Sequence, residues 1–333
     1  MRALVAGGAG FIGSHLVRRL IETGAESVVV YDNFSSGQMW HLEGLLNESR
    51  LRIVEADIKD LPRLTVEMAG VETVYHFASN PDIAKAVQQP DIDFWEGTYL
   101  TQNILEAMRL VGAKKIVYAS GSGVYGDTGL LEVREDFGPL LPISTYGASK
   151  LAGEALICSY CRMFDMIARV YRFANVVGPR QTHGVAYDFI RRLRENPRNL
   201  RILGDGNQSK SYIHVDDVLD AIFWTDARST RQFDYFNVAT GDYITVSEIA
   251  DLVVDEMRLS REQVEYEFTG GDRGWKGDVP VVRFDLTKIH ALGWEARWPS
   301  REAMRRAIQA MLTEMPEVCP RWAQESCYEE DTR

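Results

Sequence analysis

The first thirteen residues constrain this chain more than any other stretch. Met1-Arg2-Ala3-Leu4-Val5-Ala6 is a short apolar run, and Gly7-Gly8-Ala9-Gly10-Phe11-Ile12-Gly13 follows at once. Apolar residues then recur at Phe11, Ile12, Leu16, Leu20 and Ile21, the spacing of one helix face. A glycine cluster between a buried strand and a helix is the context of a phosphate-binding turn. Gly7 and Gly10 permit a tight turn and close backbone approach to a ligand, and Gly13 lets the helix pack on the strand. Unpaired amides at the start of that helix, in the Phe11–Ile12 turn, then face a pyrophosphate.

Strand and helix signals alternate through the first half. Candidate strands are Ala3–Ala6, Val28–Tyr31, Ile53–Glu55, Val74–Phe77, Ile116–Ala119 and Ile167–Tyr171, with helical patterns such as Leu100 to Leu110 and Ser149 to Met163 between them. Such alternation predicts an α/β fold, a doubly wound parallel sheet of Rossmann type, with ligands gathered at the carboxyl ends of the strands. Gly7, Asp32, Ser79, Ser120 and Asn175 all follow strand ends. Asp32 closes the run Val28-Val29-Val30-Tyr31. A carboxylate there accepts hydrogen bonds from a ribose diol and repels a 2′-phosphate, which favours NAD over NADP. Asn33 follows it. Asp57, with Ile58, ends the third run and is placed either to reach an adenine or to cap a helix. After roughly Gly178 the pattern loosens into shorter elements, so residues 1–178, with a strand and helix from about 211–245, read as the cofactor domain. Residues 179–315 read mainly as a substrate lobe and 316–333 as a loosely ordered tail.

Composition narrows the classes. A net charge of −11 argues against a nucleic-acid partner. No apolar run is long enough to span a membrane, and the start does not resemble a signal peptide. Four cysteines without an export signal fit a reducing, cytoplasmic compartment. Cys158 and Cys161 fall inside a helical pattern with no second ligand pair, so free thiols and no metal site are expected.

Tyr146-Gly147-Ala148-Ser149-Lys150 carries the chemistry. Residues four apart share one helix face. Tyrosine titrates near pH ~10 in water, and a nearby ammonium lowers that value by favouring the phenolate. The pair reads as a general acid/base unit, provided that a hydride acceptor lies beside it.

Taken in order, the glycine turn Gly7 to Gly13, Val124-Tyr125-Gly126 and Tyr146-x-x-x-Lys150 resemble the extended short-chain dehydrogenase/reductases. Arg172 to Arg180 resembles that family's substrate-side strand, and Leu203 to Asp217 its nucleotide-sugar segment. His183-Gly184-Val185 and Arg273 to Asp278 are similar to archaeal-type UDP-glucose (UDP-galactose) 4-epimerases. The resemblance covers about residues 1–312. It implies NAD held by Gly7, Gly10, Phe11, Ile12, Gly13, Asp32, Asn33, Asp57, Ile58, Phe77, Ala78, Ser79, Ser120, Tyr146, Lys150 and Phe173. It implies a UDP-hexose held at its diphosphate by Asn175, Lys210 and Arg273, and a homodimer through the Leu100 and Ser149 helices. Tyr146 then takes the proton of the sugar 4-hydroxyl, and Lys150 holds the nicotinamide ribose and lowers the tyrosine pKa.

This chain departs from that pattern in two places. The family's Ser or Thr, four residues before the tyrosine of Val124-Tyr125-Gly126, is here Gly121. Ser122 or Ser120 is left to replace the hydroxyl, with Ser122 preferred. Ala84 stands where related epimerases often have Arg, with Lys85 beside it, so either Lys85 compensates or the sugar differs from glucose. Ser122-Gly123 also lacks the carboxylates that 4,6-dehydratases carry there, which argues against dehydration. Other nucleotide-sugar epimerases or oxidoreductases (on UDP-uronates or UDP-N-acetylhexosamines) remain alternatives, as does a non-catalytic NAD-binding regulator.

Overall fold

The computed structural model describes residues 1–314. The tail expected from 316, with Cys319 and Cys327, lies outside the described residues. In chain order the strands are β1 (Arg2–Ala6), β2 (Ser27–Asp32), β3 (Leu51–Glu55), β4 (Thr73–His76), β5 (Lys115–Gly121), β6 (Glu132–Val133), β7 (Ile167–Phe173), β8 (Asn175–Val177), β9 (Asn199–Ile202), β10 (Ser209–Lys210), β11 (Tyr212–His214), β12 (Phe233–Val238), β13 (Ile244–Thr245), β14 (Glu265–Phe268) and β15 (Arg283–Phe284). The helices are α1 (Phe11–Glu22), α2 (Leu61–Glu67), α3 (Tyr99–Val111), α4 (Thr145–Phe164), α5 (Val185–Glu195), α6 (Val215–Asp226), α7 (Val246–Glu256), α8 (Thr287–His290) and α9 (Ser300–Glu314).

Seven strands form one sheet in the order β12-β7-β5-β4-β1-β2-β3, all parallel. Side chains alternate across a strand, so Ala3 and Val5 pack on one face with α1 and α6, while Leu4 and Ala6 pack on the other with α2, α3 and α4. Burial on both faces is why the strands read as continuous apolar runs. Strand order reverses between β1 and β4, and that reversal opens the crevice in which such folds bind ligands.

A third core joins α5, α7 and α9 through Phe189, Leu193, Leu252, Val253, Met304 and Ile308. Thr245 and Glu248 form a reciprocal cap at the start of α7, which satisfies two otherwise open amides. The chain returns to the central sheet between these pieces, since β12 pairs with β7 from Phe233↔Ala168 to Val238↔Phe173.

Candidate active site

The glycine turn is close-packed. Gly7 has φ 78°, a conformation that favours glycine, and a Cβ there would lie 2.7 Å from the Ala78 nitrogen. A Cβ on Gly13 would strike the Gly7 carbonyl. Gly10 is the N-cap of α1 and brings no capping side chain, so the first-turn amides of Phe11, Ile12 and Gly13 lie open to an anion. The Ala9 peptide is clamped on both sides. Its N–H donates to Asp32 Oδ2 at 2.9 Å, and its carbonyl accepts from His41 Nδ1 at 2.7 Å and from the Gln38 amide at 2.9 Å. Asp32 Oδ1 also accepts from the Phe34 amide, at 2.9 Å. Burial pushes the Asp32 carboxyl above its ordinary range, and these two amides pull it back. Asn33 donates to Asp57 Oδ2 at 3.3 Å, while Asp57 Oδ1 accepts from the Lys59 amide at 2.8 Å. Asp57 thus stands beside Asn33 and holds a turn, with Ile58 buried next to it, while the cap of α2 is Asp60, whose side chain accepts from the Arg63 amide, and not Asp57. A cradle that added Cβ atoms would fill, with a carboxylate at the end of β2, fits a dinucleotide.

α4 begins behind Ser144, whose hydroxyl accepts from the Gly147 amide at 3.1 Å. That cap aims Tyr146 and Lys150 along one face toward β5. Lys150 is buried, and its Nζ donates to the Ala119 carbonyl at 2.9 Å. It sits 5.5 Å from the centroid of the Tyr146 ring and 5.3 Å from that of Tyr118. Gly147 and Gly123 touch backbone to backbone, so the short helical turn Ser122–Tyr125 lies directly against α4.

The electrostatics differ from the expectation that Lys150 lowers the tyrosine pKa. Burial pushes Tyr146 up to about 12, the Ser79 side chain draws it down, and the Asp93 charge raises it. Burial lowers Lys150 to about 8, and Asp93 raises it. Both groups lose water, and for each that loss disfavours the charged form.

Ser120 is committed elsewhere. Its hydroxyl donates to Glu154 Oε1 at 2.5 Å, and Glu154 holds Arg172 through Nε at 3.0 Å and Nη2 at 2.6 Å. Arg172 Nη1 reaches Tyr125 Oη and the Glu135 carbonyl, each at 2.9 Å, and Tyr125 donates to Asn237 Oδ1 at 2.7 Å. Of the two candidate serines, Ser122 is therefore the one whose hydroxyl is not engaged in this network. Sequence reasoning missed Glu154, although it lies four residues beyond Lys150 on the same face as Tyr146. It also missed Arg172 as a buried cation, although Arg169 and Arg172 are charges in an otherwise apolar strand pattern, and both are buried.

Phe77 and Phe173 stack at 6.5 Å between centroids, beside Ala78 at the Gly7 turn. On the opposite side, Lys210 Nζ meets Asp278 Oδ1 at 2.6 Å. Arg273 reaches Asp127 Oδ2 and the Asp278 carbonyl, both at 2.6 Å. Lys210 and Arg273 are thus gathered around Asp278, whereas Asn175 is an exposed residue of β8 outside that cluster. Among the described residues no group of three or more His, Cys, Asp and Glu side chains could hold a metal ion.

The model of the NAD dependent epimerase/dehydratase family matches residues 3–239. The chain belongs to this family. A UDP-glucose 4-epimerase of Mycolicibacterium smegmatis is 33% identical over 317 residues, covering 93% of this chain and 98% of that one. A crystal structure of a UDP-galactose 4-epimerase superposes with a TM-score of 0.84 at 36% identity, over 95% of this chain and 100% of its own. A dTDP-glucose 4,6-dehydratase of Streptomyces venezuelae, solved with NAD bound, gives 0.86 at 27% identity, over 94% of this chain and 98% of its own. Shape alone therefore does not separate epimerase from dehydratase.

Proposed function

We propose that this chain is an NAD-dependent nucleotide-sugar 4-epimerase acting on a UDP-hexose of the glucose/galactose type through a transient 4-keto sugar. The observation that carries the reading is the face of α4 against β5. Tyr146 and Lys150 stand there beside a turn, Ser122-Gly123, that bears no acid. The carboxylates around this site are engaged, Asp93 by Thr145 and Asn80, Glu154 by Arg172 and Asp127 by Arg273. A dehydratase needs a carboxyl group free to eliminate water, and among the described residues the Ser122-Gly123 turn carries none.

NAD, when bound, supplies the hydride acceptor and donor. Gly7, Gly10 and Gly13 admit its pyrophosphate, and Asp32 stands at its ribose side. Tyr146 takes the proton of the sugar 4-hydroxyl and returns it after the ring has turned over. For this the phenol must fall several units from about 12, and positive charge is the physical means. Ser122 shares the proton from the adjoining turn. Lys210 and Arg273 exchange Asp278 and Asp127 for the diphosphate. In this reading residues 1–178, with 211–245, hold the cofactor, and 179–315 mainly hold the sugar nucleotide.

Two further readings accompany it. Exposed Phe94 and Trp95 ahead of α3, Leu110 on α3 and Met163 on α4 fit a homodimer through those helices, which light scattering would test. The free thiols Cys158 and Cys161 fit a reducing, cytoplasmic setting. Among the described residues no helix is long and apolar enough to cross a membrane.

The direct test is incubation with UDP-galactose, followed by chromatography for UDP-glucose and then by a panel of UDP-uronates and UDP-N-acetylhexosamines. Tyr146→Phe is expected to abolish interconversion while NAD stays bound. An active Tyr146→Phe protein would refute the assignment of the base.

A further inference from the structure

We propose that Asp93 is the positioning residue of the active site: its buried carboxylate anchors the start of α4 through Thr145 and is the counter-charge of Lys150. Asp93 is 2% exposed and immediately precedes the π-helical turn Phe94–Thr98 that leads into α3. A carboxylate this far from water requires compensation. Its Oδ2 accepts from Thr145 Oγ1 at 2.7 Å and its Oδ1 from Asn80 Nδ2 at 2.9 Å.

Both partners adjoin the chemistry. Thr145 precedes Tyr146, and Asn80 follows Ser79, the residue that lowers the Tyr146 pKa. One side chain therefore ties together the loop after β4, the π turn and the first turn of the catalytic helix. The π turn is pressed onto that same helix further along. A Cβ on Gly97 would strike the Ser149 hydroxyl, and Thr98 Oγ1 donates to Ser149 Oγ at 3.2 Å.

A hydroxyl and an amide satisfy the oxygens of Asp93 without cancelling its charge. That charge acts on Lys150, the cation of the site, and on Tyr146. The other groups around the pair are the Tyr118 phenol, Ser79 and His76, and burial holds His76 neutral, down to about 3. Burial alone drives Lys150 toward the neutral amine, and Asp93 opposes it. The same charge disfavours the Tyr146 phenolate, so removing it moves both titrations to lower pH.

The test is a 13C NMR titration of protein labelled at the lysine ε-carbon, with the Lys150 signal assigned by its loss in Lys150→Met. In Asp93→Asn the Lys150 midpoint is expected to fall by about one pH unit, the order of effect of a single charge acting across a partly screened interior. In Thr145→Val, which removes the anchor and keeps the charge, it is expected to stay in place. An unmoved midpoint in folded Asp93→Asn, or an equal fall in Thr145→Val, overturns the proposal. If Asp93→Asn does not fold, Asp93→Glu retains the charge and is expected to keep the parental midpoint; a fall there also overturns it. The kinetic arm rests on the epimerase reading, with the pH profile of kcat moving to lower pH in Asp93→Asn alone. Absence of turnover on every sugar nucleotide would sink that reading and leave the NMR result standing.

Discussion

Gly121 offers the sharpest check on how the site is built. Its backbone is extended, with φ −164° and ψ 171°, which any residue adopts. A Cβ added there meets only the Phe173 carbonyl, at 4.0 Å, an ordinary contact. Gly121→Ser therefore costs no strain, and the loss of glycine freedom in the unfolded chain stabilises the fold by about 0.4–1 kcal/mol. The added hydroxyl stands one residue before Ser122, at the end of β5, whose Ala119 carbonyl accepts from Lys150. A hydrogen bond to a group carrying charge in the transition state contributes about 1.5–3 kcal/mol, or roughly 10- to 100-fold in rate. Ser122→Ala is accordingly expected to lower kcat by that factor, and Gly121→Ser in the Ser122→Ala background to recover most of it. The assay is UDP-galactose to UDP-glucose conversion under saturating substrate, with thermal melting to confirm that each variant is folded. Parental kcat in Ser122→Ala would refute the role given to Ser122. A folded double variant as slow as Ser122→Ala would refute the claim that position 121 faces the reacting sugar.

Two predictions concern stability. Glu154→Gln leaves Arg172 buried without its counter-charge and is expected to destabilise the protein by about 3–5 kcal/mol, whereas Glu154→Leu with Arg172→Met is expected to cost far less; urea unfolding reads both, and equal losses would show that the pair acts as packing rather than charge. Burial holds His15 down to about 4 and His76 down to about 3, so between pH ~6.5 and 4 the unfolded chain binds protons that the fold does not. Stability therefore falls as pH drops through that window, and the urea midpoint is expected to lose part of this slope in His15→Gln/His76→Gln, with His41, His183 and His214, which burial also lowers, carrying part of the rest; an unchanged slope would refute the assignment.

The parts of this molecule that were legible in the sequence are those in which one physical signal repeats. Strands buried on both faces must be apolar throughout, so Val28–Tyr31 and Ile116–Ala119 fall inside the observed Ser27–Asp32 and Lys115–Gly121. The glycine turn is equally direct, because Gly7 and Gly13 sit where any side chain would collide with backbone. β12 was less legible, since Phe233 to Val238 mixes polar and apolar residues and owes its place to pairing with β7, about sixty residues earlier in the chain. The Tyr146/Lys150 pair was legible as a spacing, but its electrostatics were not. The shift of Tyr146 is set by burial, Ser79 and Asp93, which come from three separate segments. Asp93 carries no local signal, because Asp91-Ile92-Asp93 reads as a solvated turn until Thr145 and Asn80 close over it. Glu154 lay within reach of the reasoning that found Lys150. Extending the face from 146 and 150 to 154 puts a carboxylate on a buried stripe, and a buried carboxylate demands a cation. Of the two buried arginines in the run Ile167–Phe173, Arg172 meets that demand, while Arg169 donates to the Arg231 and Ser229 carbonyls. One helix face thus carries both the acid/base pair and the ion pair that fixes its supporting strand, which is why chemistry and stability are expected to fail together when that face is altered.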